Sequence, residues 1–223
     1  MIGRDPAFAL AAVVAVGVVV LAGGASGQQS ADPLEALFAR GRIAQKTMRS
    51  LRASFRETTV SSLLVTPLTS TGTVTAAVNP LRLVMRYEPP DGRTIWIDEK
   101  WLVVKSPPRP AVEQIDIAAT QRRIQKYFTE ASLDDLRSSF DMALRSDASR
   151  PDAHLLEMTP RRSQIKQGLE RLRLWIDRER MLMVRLEMMF PEGDSTRIDL
   201  SDLEVNVPID EGTFARPGKG GGR

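Results

Sequence analysis

The side chains that most often perform chemistry in proteins are scarce in this sequence. His154 is the only histidine and there is no cysteine, so neither a second imidazole nor a thiolate can complete a tetrahedral zinc site or a Ser/His/Asp triad. No glycine-rich phosphate loop precedes a helix. The carboxylate pairs Asp134/Asp135 and Asp199/Asp202 are of a kind that is normally solvated on helix and strand surfaces. The sequence therefore predicts a protein that is not an enzyme, with no metal site and no cofactor.

The more informative pattern is an alternation of apolar and polar side chains in the C-terminal half. Between residues 172 and 200, three stretches place apolar residues at every second position, with charged residues at many positions between them. Period-two alternation puts the two sets on opposite faces of a sheet. Polar turns at residues 177–180 and 191–194 separate the stretches. This region predicts an antiparallel meander with one apolar face, which another part of the protein must cover.

The elements that surround this meander can also be predicted from local pattern. Asp32 followed by Pro33 is typical of a helix start, and apolar residues recur at helical spacing from there to Leu51. Residues 118–128 and 132–144 favour further helices. Together the elements predict one α+β domain built around a large antiparallel sheet. The predicted strands before and after these helices cover residues 55–64, 72–78, 81–88, 94–97, 101–105 and 154–159.

The two ends of the chain differ from this domain in composition. Residues 1–27 have the layout of a secretory signal peptide, with Arg4, an apolar run at 7–22 and small residues up to Gly27. We expect cleavage after Gly27 and a periplasmic protein. An uncleaved anchor in the inner membrane is the alternative, because the apolar run approaches the length that spans a bilayer. The domain then covers residues 28–215, and the glycine-rich residues 216–223 predict a disordered tail.

The overall charge argues against a nucleic-acid partner. The formal net charge is only +3 over 223 residues, and the charges are dispersed along strand faces. A chain of this length can bury a core of its own without disulfides. We expect it to be a monomer.

Four stretches, in order along the chain, carry a recognisable pattern. Residues 51–57 have the sequence LRASFRE, and residues 79–90 have the sequence NPLRLVMRYEPP. Residues 97–100 are IDEK, and residues 198–206 are IDLSDLEVN, followed by Phe214. These resemble, in the same order, the F-x-A-x-F-x-Q opening, the R-P-x-x-h-x-W-x-h-x-x-P strand, the S-D-G-K turn and the closing h-x-F-x-x-h-x-x-N-x-x-h-x-x-x-x-F pattern of the outer-membrane lipoprotein carrier family, LolA.

The resemblance implies a fold and a function. The fold would be an unclosed, strongly curved antiparallel half-barrel with helices across its concave face. The hollow would hold lipoprotein acyl chains, or another lipid, during transit from an inner-membrane donor complex to an outer-membrane acceptor. The chain departs from the family at Asn79, Met85 and Glu99, where the family has arginine, tryptophan and glycine. Relatives with the same sheet act as lipid-sensing regulators of envelope stress, so a regulatory module with a protein partner is an alternative.

The expected lining of the hollow follows from the resemblance and from alternation. The resemblance fixes the inward face for Leu83, Met85 and Tyr87, and alternation assigns the other residues. Trp101 and Trp175 fall on the opposite face. Methionines suit an adaptable pocket, although such a stripe also fits a closed core without a hollow. The predicted lining is Phe55, Leu83, Met85, Tyr87, Trp96, Leu102, Val104, Leu172, Leu174, Ile176, Leu182, Val184, Leu186 and Met188. The predicted lid residues on the first helix are Leu34, Leu37, Phe38 and Met48.

Overall fold

One antiparallel sheet of eleven strands organises the fold. The computed structural model describes residues 32–108, 112–118 and 133–217. The described helices are α1 (Pro33–Lys46), α2 (Leu133–Ser139) and α3 (Ser163–Lys166). The strands are β1 (Ser50–Val60), β2 (Leu68–Ala77), β3 (Arg82–Tyr87), β4 (Thr94–Asp98), β5 (Trp101–Lys105), β6 (Val112–Asp116), β7 (Phe140–Arg145), β8 (Ala153–Pro160), β9 (Arg171–Asp177), β10 (Met183–Met189) and β11 (Ser195–Val205).

The strands form two meanders that meet in the middle of the sheet. Their spatial order is β6-β5-β4-β3-β2-β1-β11-β10-β9-β8-β7, and neighbouring strands pair antiparallel. The edge strands β6 and β7 stand at opposite ends of this order, so the sheet is not closed. The predicted α+β class and the unclosed antiparallel half-barrel are confirmed. The position of helices across the concave face stays a prediction.

Alternation along the strands produces one continuous buried side. In β10, for example, Leu186 and Met188 are buried, whereas Arg185 and Glu187, which alternate with them, are only half-buried. We call the side that carries this buried cluster the inner face, and ten of the eleven strands contribute to it. Its sheet residues are Leu51, Ala53, Phe55, Val74, Ala76, Leu83, Met85, Tyr87, Ile95, Ile97, Leu102, Val104, Phe140, Leu156, Met158, Leu172, Leu174, Ile176, Leu186, Met188 and Ile198.

Ion pairs cross the strands on the opposite, outer face. Arg173 binds Glu157 of β8 at 3.0 Å and Glu187 of β10 at 3.2 Å. Arg185 binds Asp199 of β11. Cross-strand pairs of this kind favour one register over its neighbours. The outer face is therefore the polar side that the alternation in residues 172–200 predicted.

The C-terminal segment lies against the outer side of β3. A short 3-10 turn, Glu211–Phe214, follows β11. The Arg82 side chain of β3 binds the Glu211 carboxylate and sits 4.6 Å from the centre of the Phe214 ring. Arg86 donates a hydrogen bond to the Thr213 carbonyl at 3.1 Å. These contacts place the closing motif of the sequence beside the strand of its second motif.

Several predicted boundaries were wrong. The Asp32 cap is confirmed, because its carboxylate accepts a hydrogen bond from the Leu34 amide at 2.8 Å. However, α1 ends at Lys46, which leaves Met48 in the connection to β1 and Leu51 inside β1. Helical and strand spacing overlap for such short apolar runs, and pairing with β2 and β11 decides in favour of the strand.

The segment predicted as one helix over residues 132–144 divides in two. Only α2 is helical, and β7 begins directly after it and pairs with β8. Phe140, Met142 and Leu144 also fit period-two alternation, and the ladder with β8 satisfies their backbone groups. Strand β6 was missed because only Val112 and Ile115 in it are apolar. The helix predicted at 118–128 lies outside the described residues, apart from Ala118.

The predicted ends of the domain are only partly covered. The signal segment at 1–27 and residues 218–223 lie outside the described residues. Residues 216–217, which we expected to open a disordered tail, are described, and Arg216 binds Asp98 at 3.2 Å. Within residues 32–108, 112–118 and 133–217, no helix combines the length and the apolar character needed to cross a bilayer.

Candidate functional site

The inner face brings most of the predicted lining residues together. Eleven of the fourteen belong to its buried cluster, and each is 1–6% exposed. They come from β1, β3 and β5 in one meander and from β9 and β10 in the other, so the surface is continuous across the centre of the sheet. The eleven are Phe55, Leu83, Met85, Tyr87, Leu102, Val104, Leu172, Leu174, Ile176, Leu186 and Met188.

Trp96 was assigned to the wrong face. It pairs with Val84 of β3 and with Val103 of β5, and directly opposed residues in an antiparallel sheet share a face. Its neighbours Ile95 and Ile97 point inward instead, at 1% and 3% exposure. Residues 95–97 are all apolar, so alternation within this short strand fits either face, and only the pairing with β3 and β5 decides.

Val184 and Leu182 are also misplaced in the prediction, because of a β-bulge. The register of β10 against β9 shifts between Met183 and Arg185, so two residues of β10 oppose Trp175 alone. Val184 consequently packs on the outer face with Trp175 and Leu155. Leu182 precedes β10, is half-buried and belongs to neither buried cluster. Met183 takes an inward position opposite Ile176.

Residues outside the strands contact the same buried cluster. Leu37 and Phe38 of α1 are members of it, at 3% and 2% exposure, and Leu34 and Met48 pack against it while partly exposed. All four predicted lid residues therefore touch the inner-face cluster, although Met48 is not on the helix. Ile117, Leu133 and Leu136 are further members.

One arginine fastens α1 to α2. Arg137 of α2 binds the Asp32 carboxylate at the start of α1, and its guanidinium lies 3.8 Å from Glu35. It also lies 3.6 Å from Asp134 on its own helix. Because these groups are about one-third exposed or more, the contact is an ion pair at the protein surface.

A polar group that the sequence analysis missed interrupts the apolar inner face. Glu57 of β1 is 6% exposed and follows Phe55 at the next inward position. Its two carboxylate oxygens accept hydrogen bonds from the Tyr87 hydroxyl at 2.7 Å and from the Arg93 guanidinium at 3.0 Å. Arg93 also stacks over the Tyr87 ring at 3.9 Å from its centre. A charged residue at an inward position of the LRASFRE motif was the signal that could have revealed it.

The burial of this group changes its acid–base behaviour. Removal from water raises the pKa of Glu57 above its ordinary value, although the hydrogen bond from Tyr87 and the charge of Arg93 act in the opposite direction. Burial and the nearby Glu57 charge raise the pKa of Tyr87, so its hydroxyl remains a hydrogen-bond donor. Both oxygens of Glu57 already have partners, so the group is built to hold β1, β3 and the β3–β4 turn together.

The inner face is closed to water in this structure. All members of its cluster are 0–8% exposed. A pocket of about 280 Å³ lies elsewhere, at the end of the sheet where β1 and β3 begin. It is lined by residues that include Arg49, Arg82, Asn206 and Phe214. A guest could therefore reach the inner face only if the elements that cover it moved apart.

The side chains that could bind a metal do not converge in the described part of the chain. His154 lies half-buried in β8 opposite Ile176. Burial and the charges of Arg178 and Arg40 lower its pKa. Among the described residues, no three histidine, cysteine, aspartate or glutamate side chains converge as a metal site would require.

The family and fold can be compared with those of known proteins. The family model described as outer membrane lipoprotein carrier protein LolA matches residues 46–217, which is more than half of the chain. A search among curated proteins finds no match.

Solved structures share the fold at low sequence identity. An uncharacterized conserved protein from Thermus thermophilus aligns with a TM-score of 0.55 and 12% identity, over 85% of this chain and 96% of that one. The MucA/MucB complex of Pseudomonas aeruginosa gives 0.52 and 15%, over 84% of this chain and 62% of that chain. The Mycobacterium tuberculosis lipoprotein LppX gives 0.51 and 16%, over 81% and 99%. At these identities the likeness shows the fold alone.

Proposed function

This chain belongs to the LolA family of outer membrane lipoprotein carrier proteins, and we propose that it is a non-enzymatic carrier that binds acyl chains against its inner face. The cargo would be the acyl chains of a lipoprotein or another lipid, carried through the periplasm towards the outer membrane. An inner-membrane donor and an outer-membrane acceptor would be its partners. Export by residues 1–27 belongs to the same proposal.

The observation that carries the proposal is the continuity of the apolar inner face. Ten strands from both meanders contribute to a single buried cluster, which would offer a hydrocarbon chain apolar contacts across the centre of the sheet. Each methylene removed from water contributes about 0.8 kcal/mol, so acyl chains bind such a surface without a polar anchor. Met85, Met158 and Met188 lie in the cluster, and flexible thioethers adapt to guests of variable shape.

Binding would require the protein to open. The inner-face side chains are almost inaccessible to water. In the closed form, the protein's own residues therefore cover this apolar surface in the absence of cargo. We propose that α1 is the lid, because Leu37 and Phe38 belong to the inner-face cluster. The partly exposed ion pair between Arg137 and Asp32 would then be a latch that water can compete for.

The proposal can be tested by uptake of a fluorescent fatty acid, together with mass spectrometry of lipid extracted from gently purified protein. Met85 and Arg86 are neighbours on opposite faces, so Met85→Gln and Arg86→Gln introduce the same side chain inside and outside. We expect Met85→Gln to weaken uptake by about tenfold, because a buried amide without a partner disfavours an apolar guest. Arg86→Gln should bind as the unmodified protein does. Absence of both uptake and co-purified lipid in the unmodified protein would refute the carrier proposal.

A regulatory module with a protein partner is the second candidate. Its support is the structural likeness to a chain of the MucA/MucB complex. Such a protein would retain no cargo lipid and would form a stable complex with an envelope protein. A third candidate is a closed core without a binding role, which the low exposure of the inner face favours. That protein would show neither lipid uptake nor a partner.

A further inference from the structure

Exposed apolar side chains are concentrated at the connection between β1 and β2. Five of the seven exposed large apolar residues of the described chain lie within residues 60–68, which we call the hairpin tip. At its centre, Leu63 is 91% exposed and Val65 is fully exposed, so these side chains touch almost nothing in the protein. Scattered exposed apolar residues are ordinary, but a contiguous group of this kind marks an interaction site.

The hairpin tip is held in place by hydrogen bonds at its base. The Asp194 carboxylate, in the β10–β11 turn, accepts hydrogen bonds from the Ser62 amide at 2.9 Å and from the Ser61 hydroxyl at 3.1 Å. The Leu64 amide donates to the Ser61 carbonyl at 3.0 Å and closes a turn. The protein therefore presents these apolar side chains outward from a fixed base, although folding them against the sheet would have hidden them from water.

The hairpin tip also lies in the longest uncharged part of the described chain. No lysine, arginine, aspartate or glutamate occurs from residue 58 to residue 81. The tip's own side chains would therefore bring no charge into the membrane, and burying charge is the main cost of placing a polypeptide surface in hydrocarbon. Serine and threonine flank the apolar residues, and their hydroxyls suit the hydrated headgroup layer.

The composition of the hairpin tip favours a bilayer over a folded protein as its occupant. Leu63 and Val65 are almost fully exposed and no charged side chain occurs within residues 60–68, whereas specific protein interfaces combine an apolar centre with a polar, charged rim. The open backbone of a turn limits insertion to the interfacial layer, where water still reaches its amides.

The hairpin tip stands at one end of the proposed binding face. β1 carries Phe55 and Glu57 on the inner face and continues directly into the tip. The Ser70 hydroxyl of β2 donates a hydrogen bond to Asp91, in the β3–β4 turn at the same end of the sheet, at 3.1 Å. A protein docked by this tip would hold that end of the inner face next to the lipid surface.

We propose that the hairpin tip is a membrane-docking element, in which Leu63, Leu64 and Val65 enter the interfacial layer of a lipid bilayer. The element acts through apolar contact, so it binds bilayers of zwitterionic phospholipid and depends little on salt. The docking proposal does not rest on the nature of the cargo, because the tip lies outside the inner-face cluster.

The absence of cysteine makes a local test possible in the full chain. Val65→Cys can be labelled with an environment-sensitive fluorophore, and Ile43→Cys is the matched control, because Ile43 is also an exposed apolar residue (69%) but lies on α1. With vesicles of phosphatidylcholine, we expect a blue shift and quenching by lipid-borne quenchers at position 65, and neither at position 43. Because the label reports only its own surroundings, membrane contact by residues 1–27 does not produce this difference.

A second variant tests the contribution of the side chains themselves. The triple change Leu63→Ser, Leu64→Ser and Val65→Ser alters only exposed positions and should leave the thermal unfolding midpoint unchanged. We expect it to weaken vesicle contact of a label at Thr66→Cys by about tenfold or more, whereas Ile43→Ser leaves that contact unchanged.

Three results would overturn the docking proposal. The first is an equal response to vesicles at positions 65 and 43. The second is a shift at position 65 that needs no vesicles and grows with protein concentration, which would make the tip an interface between two copies of the chain. The third is loss of acyl-chain uptake in the triple serine variant without any change in vesicle contact. Failure of lipid uptake in the unmodified protein would affect the carrier proposal alone, because vesicle contact is measured separately.

Discussion

Glu57 shows at the scale of one residue how a carboxylate can be kept on an apolar face. Its oxygens are hydrogen-bonded to Tyr87 and Arg93, and the Phe55 ring packs edge-on against Tyr87 with a centroid distance of 4.9 Å. Partners from β3 and the β3–β4 turn take the place of the water that would otherwise hydrate the Glu57 carboxylate. Its position in the alternation of β1 could be predicted, but the Arg93 that balances it comes from a distant turn, which no local pattern reveals.

The raised pKa of Glu57 makes a prediction about stability and pH. A carboxyl group whose pKa is higher in the folded than in the unfolded state binds its proton more tightly when folded, so it stabilises the fold at low pH. This contribution is fully present below the unfolded pKa of about 4.5 and is lost as the pH rises through the folded pKa. We expect Glu57→Gln to remove that part of the pH dependence of the free energy of unfolding.

The measurement is urea unfolding of the unmodified protein and of Glu57→Gln over a pH series. The exposed Glu88→Gln is the control, because Glu88 lies at the protein surface with one hydrogen bond from Thr71. A difference in unfolding free energy between the unmodified protein and Glu57→Gln that stays constant from acidic to neutral pH would show that the assignment is wrong.

Gly72 is required by close packing and not by an unusual backbone angle. A Cβ atom there would lie 2.1 Å from the Arg86 carbonyl oxygen and 2.8 Å from the Phe55 ring. We expect Gly72→Ala to lower the free energy of unfolding by about 2 kcal/mol or more, because the Arg86 backbone cannot move away from the new Cβ atom as a flexible side chain could. Gly168→Ala is the control, since a Cβ there meets nothing within 4 Å. Equal thermal midpoints for the two variants would contradict this packing.

At the scale of elements, the latch between α1 and α2 should govern access to the inner face. Arg137→Ala removes the ion pairs to Asp32 and Glu35 without touching the buried cluster. A surface ion pair is worth up to about 1 kcal/mol, so we expect fatty-acid uptake to become up to about fivefold faster, measured by stopped-flow fluorescence.

Arg161→Ala is the matched control for the latch. Arg161 forms an exposed pair with Asp141 at the start of β7 and does not reach α1. Uptake should be unchanged in this variant. Equal uptake rates in Arg137→Ala and the unmodified protein would mean that α1 does not gate the inner face.

The elements also show which parts of the fold can be predicted from sequence. Strands with clear alternation, such as β3, β9 and β10, were located within a residue or two, because a sustained period of two fits a strand and not a helix. Short runs failed where the same residues fit two periods, as in β7, or where few apolar residues occur, as in β6. The bulge in β10 cannot be seen in the sequence, since it depends on the register against β9. That bulge moved Val184 to the outer face and Met183 inward.

At the scale of the whole molecule, the proposed function depends on the joining of two meanders into one sheet. The pairing of β1 with β11 brings the inner faces of both halves together, so that a single apolar surface runs across the half-barrel. The hairpin tip extends from this central pair. The resemblance predicted the half-barrel, and alternation predicted most of the residues on its inner face. The closed state of the inner face and the exposed hairpin tip emerged only from the folded arrangement.

The central claim, that an acyl chain lies against the inner face, is tested most directly by photo-crosslinking. The protein would be loaded with a fatty acid that carries a diazirine near the end of its chain, irradiated, digested and sequenced by mass spectrometry. The account predicts crosslinks at inward positions from both meanders, such as Met85, Leu174 and Leu186, and none at the outward positions Arg86, Arg173 and Arg185. Crosslinks confined to outer-face residues, or no light-dependent crosslinks at all, would contradict it.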